Sequence, residues 1–295
     1  MAKSPESNLE WSLPVPSVRE LANQQLEKVP LRYIRDDLDN VTTVPADPSL
    51  RVPLIDMTKL FNPNSQKEEL QNLYDACKDW GVFQLVNHGI SNETLNCMGK
   101  QVQGFFDLPL EEKKRWAQKP GSLEGFGQAF VVSEDQKLDW NDMIFLKTLP
   151  IHNRKLNLWP ENPPEFRKTL ERYSEDVRKL AVSIVRFMVM GLQLELEAQQ
   201  ISESFLEGSY DMLKDGEWVF VEPIEGAIVV NIGHIMEVVS NGIYKAPDHR
   251  AVVNKWKERL SIVTFCYPDS SIEIGPAKNR SSQSNPTFIQ DPYTG

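Results

Sequence analysis

The order of elements in this chain predicts an α+β fold, a layer of helices packed on an antiparallel barrel or jelly roll. Two observations carry that expectation. Apolar residues recur at helical spacing ahead of Gly208, most clearly from Pro164 towards Leu194. After Gly208 the pattern changes to short Val-, Ile- and Trp-bearing runs separated by turns. No internal repeat, P-loop, dinucleotide fingerprint or nucleophile triad interrupts that scheme.

The elements follow from local signals. A capping box, Ser17-x-x-Glu20, predicts a short helix to about Lys28, stopped by Val29-Pro30. Residues 35–50 read as a polar connector, and Val52 to Asp56 as a short strand. Leu70, Leu73, Tyr74 and Cys77 give a helix from about Gln66 to Trp80, ended by Gly81. Val82 to Val86 is an apolar strand, and Asn87-His88-Gly89 a turn in which His88 serves the backbone. Helices are predicted over Asn92–Phe106 and Glu111–Trp116, and glycine-rich 121–128 reads as a loop. The longest helix buries Leu170, Tyr173, Val177, Leu180, Ile184, Phe187 and Met188. Strands are expected at Trp218–Val221, Ala227–Asn231, Ala251–Val253 and Leu260–Phe265.

Composition narrows the partners. With 40% hydrophobic and 25% charged residues, the chain reads as an ordinary soluble globular protein. A net charge of -10 without a basic stripe argues against nucleic acid. The three cysteines, Cys77, Cys97 and Cys266, are odd in number and far apart, so neither a disulfide framework nor a zinc motif is expected. The N-terminal residues 1–16 lack an apolar signal core, and the most apolar window, 180–194, is interrupted by Arg186. A cytoplasmic protein with no membrane partner is expected.

Few residues offer chemistry. On a strand, Arg259 and Ser261 face one side, where a guanidinium fork and a hydroxyl can grip a carboxylate. The bland alternative is a surface arginine on an edge strand beside an unrelated serine. His249 offers a neutral ring nitrogen to a metal, or is a structural histidine. Its neighbour Asp248 points to the opposite face of a strand. His234 and Glu237 share a face only if their stretch is helical, whereas the local pattern reads as a strand ending in a turn.

Longer motifs go further. Asp75-Ala76-Cys77-Lys78-Asp79-Trp80-Gly81-Val82-Phe83-Gln84-Leu85-Val86-Asn87-His88-Gly89 resembles the N-terminal hallmark of plant 2-oxoglutarate/iron(II)-dependent dioxygenases. Glu124 to Gln128 and Ser133 to Trp140 are similar to the subgroup of senescence-related-protein-like enzymes and poppy codeine and thebaine demethylases. Ser240 to Lys245, the His249 segment and Glu258 to Phe265 resemble the family's C-terminal core. The likeness runs from Ser17 to about Pro276.

The resemblance implies a double-stranded β-helix (a cupin-like jelly roll) that uses Fe(II) and 2-oxoglutarate, with ascorbate as activator. It implies hydroxylation or oxidative demethylation of a small specialised metabolite. His249 would be the distal iron ligand, and Arg259 and Ser261 would bind the 2-oxoglutarate carboxylate. The implied regions are an N-terminal dioxygenase region at 1–160, a bridging long helix at 161–208, a partial barrel at 209–276 and a divergent tail at 277–295.

One departure dominates. Such sites hold iron with two histidines and one carboxylate, and in this family the first pair comes from a His-x-Asp or His-x-Glu strand. None of the four histidines here, His88, His152, His234 and His249, has Asp or Glu two residues on. Phe205-Leu206-Glu207-Gly208-Ser209-Tyr210-Asp211 passes almost directly to Leu213-Lys214-Asp215-Gly216-Glu217-Trp218. Several strands with their turns have no counterpart, so the barrel is expected to be incomplete. Three readings stay open: a catalytically incomplete homologue, an active enzyme with His234 and Glu237 as replacement ligands, and a non-catalytic binding protein.

Overall fold

A computed structural model of the chain describes residues 12–24, 26–34, 50–119, 122–128, 131, 133–193, 205–206, 211–214, 217–251, 257–266 and 275. The chain divides into two compact units, Met1–Thr42 with Glu93–Ser174, and Thr43–Asn92 with Glu175–Gly295.

In the first unit, helix α1 (Val18–Asn23) is capped by Ser17, whose hydroxyl oxygen accepts the Glu20 N–H at 3.4 Å. Asp142 strengthens that start by accepting from the Ser17 hydroxyl and from the N–H groups of Val18 and Arg19. The helix ends at Asn23, short of Lys28: Leu26 is 40% exposed, so a further turn would bury little to offset its ordering. Helix α4 (Asn92–Phe106) sinks Thr94, Met98, Val102 and Phe105 into the interior. Its last carbonyl, Phe106 O, accepts from Lys113 Nζ at 2.9 Å and from Arg19 Nη1, placing two cations at the negative end of the helix. Desolvation by burial, reinforced by the Arg19 charge, lowers the Lys113 pKa from its ordinary value.

Helix α5 (Leu110–Lys113) leads to β3 (Gly125–Gly127), antiparallel to β4 (Met143–Phe145), where the glycines had pointed to a loop. The glycines serve a close approach of two backbones. A Cβ on Gly125, at φ +119, would lie 2.8 Å from both Gln118 N and Trp116 O. Phe105 makes edge contacts with Phe106, Trp116 and Phe126 that fill this interior.

In the second unit, β1 (Leu54–Asp56) pairs in parallel with β2 (Val82–Val86), and β2 pairs antiparallel with β8 (Ile228–Asn231). The short β5 (Phe205–Leu206) and β10 (Val263–Thr264) complete a five-stranded sheet in the order β1-β2-β8-β5-β10. A second sheet, β7-β6-β9, comprises Glu217–Phe220, Asp211–Lys214 and His249–Arg250. Val82, Val219, Val221 and Val229 meet in a buried cluster, so β7 lays its Val219 face against β2 and β8. Neither sheet closes on itself among the described residues. The expected strand at Ala251–Val253 is observed one step earlier, at His249–Arg250, and Val252 and Val253 lie outside the described residues.

Helix α3 (Gln66–Asp75) follows α2 (Met57–Phe61) and widens into a π-helical turn at Ala76–Trp80, ended by Gly81 at φ +69. Gly81 N–H donates to Ala76 O, Gly81 O accepts from Ile232 N–H, and Lys245 N–H reaches Cys77 O. A Cβ on Gly81 would stand 2.3 Å from Lys245 O. Helix α6 (Phe166–Gly191) buries every apolar residue its periodicity marked, and Tyr244 donates its hydroxyl to Met188 O at 2.8 Å. No helix among the described residues is long and apolar enough to cross a membrane.

His88 serves the backbone as expected. Ile90 N–H donates to Nδ1 at 3.2 Å, so the proton sits on Nε2, which donates to Gly226 O at 2.9 Å.

Three substitutions test these contacts. Gly81→Ala is expected to cost about 2–4 kcal/mol in denaturant unfolding, from positive φ plus a backbone clash. Gly89→Ala, at φ +83 with nothing within 4 Å, should cost only about 1 kcal/mol. His88→Ala should cost about 1–3 kcal/mol, because it strands the Ile90 N–H and the Gly226 carbonyl. Equal losses at Gly81 and Gly89 would contradict the close approach as the cause.

Candidate functional site

Strand β9 exists because His249 and Arg250 pair antiparallel with Met212 and Asp211 of β6. Strand alternation sends the two side chains to opposite faces. On one face, Arg250 lies over the Trp218 ring, 4.1 Å from its centroid. On the other, the register aligns His249 with Met212 and Met212 with Val219, so His249 shares the face of the buried Val219. That face looks toward the valine cluster, yet His249 is exposed. Its Nδ1 lies 3.2 Å from Pro247 O. A carbonyl can only accept, so Nδ1 carries a proton.

Arg259 and Ser261 fall outside any strand. Only Val263–Thr264 of the expected strand pairs, with β5, so the alternation that was to align the two does not apply. The Arg259 guanidinium is partly desolvated, which lowers its pKa from the ordinary value while leaving it cationic.

His234 and Glu237 behave differently from the sequence pattern. Gly233 starts helix α7 (His234–Val239), so the pair is helical and shares a face at spacing i, i+3. That meets the geometric condition for two ligands and supplies no third. Among the described residues, no three His, Cys, Asp or Glu side chains come together as a metal-binding group.

Iron(II) in this fold requires two histidines and a carboxylate on one face. All four histidines are described, and His88 uses both ring nitrogens on backbone groups. Among the described residues, the donor set therefore does not fit a three-ligand iron centre. His249 lies exposed on β9, and Arg259 and Ser261 lie on the segment that leads into β10.

Sequence reasoning passed over Gln84. This buried residue of β2 donates from Nε2 to Glu222 O at 2.9 Å and accepts the Ile224 N–H at 3.0 Å. It ties the segment after β7 to the main sheet. The available signal was one polar residue in the apolar run Val82-Phe83-Gln84-Leu85-Val86.

Comparison with known proteins agrees with the motifs. Residues 52–162 match the N-terminal model of the non-haem dioxygenase in morphine synthesis, and residues 196–268 match the 2OG-Fe(II) oxygenase superfamily. S-norcoclaurine synthase 1 of Coptis japonica is 40% identical, over 90% of this chain and 86% of its own. Thebaine 6-O-demethylase of Papaver somniferum is 34% identical, over 100% of this chain and 93% of its own. Its match runs over 340 residues, longer than the 295 of this chain, so it carries positions without a counterpart here. The crystal structure of JOX2 in complex with 2OG, Fe and JA superposes with a TM-score of 0.80 at 29% identity, over 94% of this chain and 90% of that one. The double-stranded β-helix architecture and the family's use of 2-oxoglutarate and iron are thereby established. This chain belongs to the 2-oxoglutarate/iron(II)-dependent dioxygenase family.

Proposed function

We propose that this chain is a dioxygenase homologue that does not turn over 2-oxoglutarate in this form. One observation carries the reading: no histidine in the whole sequence is followed two positions on by Asp or Glu. The length of the thebaine demethylase match supports it, because that relative carries positions that have no residue here. Loss of an outer-shell partner alone typically costs about 10–100-fold in metal affinity or activity, and loss of two direct ligands costs more.

The ancestral reaction we assign is hydroxylation or oxidative demethylation of a small plant metabolite, after relatives named for alkaloid and flavonoid chemistry. His249, Arg259 and Ser261 are the remnants of the site. The N-terminal region at 1–160, the helix region at 161–208 and the partial barrel at 209–276 are the retained parts, followed by the tail at 277–295. A cytoplasmic location accords with three free thiols, of which Cys77 is buried and its pKa pushed up by that burial.

The two other readings fare unequally. Replacement ligands gain the helical placement of His234 and Glu237 but lack a third donor among the described residues. A docking role for the long helix loses support, because its apolar stripe is already buried.

The test is release of succinate from 2-oxoglutarate with Fe(II), ascorbate and O2, with an intact relative and His249→Ala alongside. The expected rate lies more than about 100-fold below the relative and equal to His249→Ala. Succinate formation that disappears in His249→Ala would overturn the reading.

A further inference from the structure

We infer that strand β9 serves only the sheet in this chain: Arg250, stacked on Trp218, ties β9 to β7, and His249 holds no metal ion. The inference rests on the reading above and adds a role for the residues beside the lost centre.

The geometry is specific. In the order β7-β6-β9, strands β7 and β9 are not neighbours, because β6 lies between them. Two strand spacings separate them by about 10 Å. β9 pairs with β6 at only two positions, Asp211↔Arg250 and Met212↔His249, so its backbone hold is slight. Arg250 spans β6 and places its guanidinium carbon 4.1 Å from the Trp218 ring centroid. Trp218 is fixed from its own side, since β7 pairs with β6 over four positions and the next residue, Val219, is buried. The contact therefore bridges the two outer strands across the middle one. A cation over an indole is the strongest such pairing among the aromatic side chains.

His249 has the opposite character. It is exposed, its Nδ1 proton is directed to Pro247 O, and no pair of His, Cys, Asp or Glu side chains joins it among the described residues. A metal ion there would find no group of three His, Cys, Asp or Glu donors among the described residues.

Two measurements on the full chain test this. The first is a thermal double-mutant cycle. Arg250→Ala is expected to lower the midpoint by about 2–4 °C, with Arg250→Lys between it and wild type. Arg250→Ala/Trp218→Leu should be no less stable than Trp218→Leu alone, because the partner is already gone. His249→Ala should stay within about 1 °C of wild type. Strict additivity of the two substitutions would overturn the bridge.

The second measurement is a titration with Co(II) as spectroscopic probe, under argon. Wild type and His249→Ala are expected to give the same unsaturable baseline. A saturable cobalt band present in wild type and absent in His249→Ala would overturn the inference. That band without succinate formation leaves the proposed function standing, whereas succinate formation without the band defeats the proposed function alone.

Discussion

The second unit depends on one junction, the approach of Gly81 to Lys245. Three main-chain hydrogen bonds converge there, from Gly81 N–H to Ala76 O, Ile232 N–H to Gly81 O and Lys245 N–H to Cys77 O. The π-helical turn at Ala76–Trp80 turns Cys77 O outward, and the left-handed Gly81 lets β2 leave at once. With β2 placed, β8 takes its register through Val82↔Asn231, and the chain after α7 is drawn back over the turn. The motif spanning Asp75 to Gly89 is thus long because one approach demands a π turn, a glycine and an apolar strand in succession.

The same junction anchors the main sheet of the family fold beside the segment that bears His249. β1 and β8 both pair with β2 beside the Gly81 turn, and Tyr244 donates its hydroxyl to Met188 O. β5 inserts between β8 and β10 by a few pairs, Leu206↔Val229, Val263↔Leu206 and Thr264↔Phe205. The smaller sheet keeps β6, β7 and β9 but has β9 as an outer strand, and His249 stands exposed on its inward face. Ligand geometry is more fragile than fold. A barrel shares its stability over many contacts, while an iron site needs three named donors on one face.

What was legible in the sequence follows the length of each signal. The α6 stripe from Leu170 to Met188 repeats over many turns, and all of its marked residues are buried. His88 was readable as a backbone partner because it sits in a turn between Asn87 and Gly89, both at positive φ. Local chemistry misled where tertiary contacts decide. The glycines around Phe126 suggested a loop, yet they admit the Trp116–Gln118 backbone against β3. Among the described residues, the predicted strand bearing Arg259 and Ser261 pairs only at Val263–Thr264, with β5. Helical His234 and Glu237 were hidden by the apolar run of β8, which ends only two residues before α7 begins. The missing His-x-Asp pair was fully legible, since four histidines can be inspected one by one.

The most direct measurement is anaerobic addition of Fe(II) and 2-oxoglutarate to the purified chain, following the visible metal-to-ligand charge-transfer band of the chelate. The expected result is no band beyond that of free reagents, in wild type and in His249→Ala alike. A band that forms in wild type and vanishes in His249→Ala would contradict the account, since it would mean that this chain assembles an iron centre from donors other than the family's own.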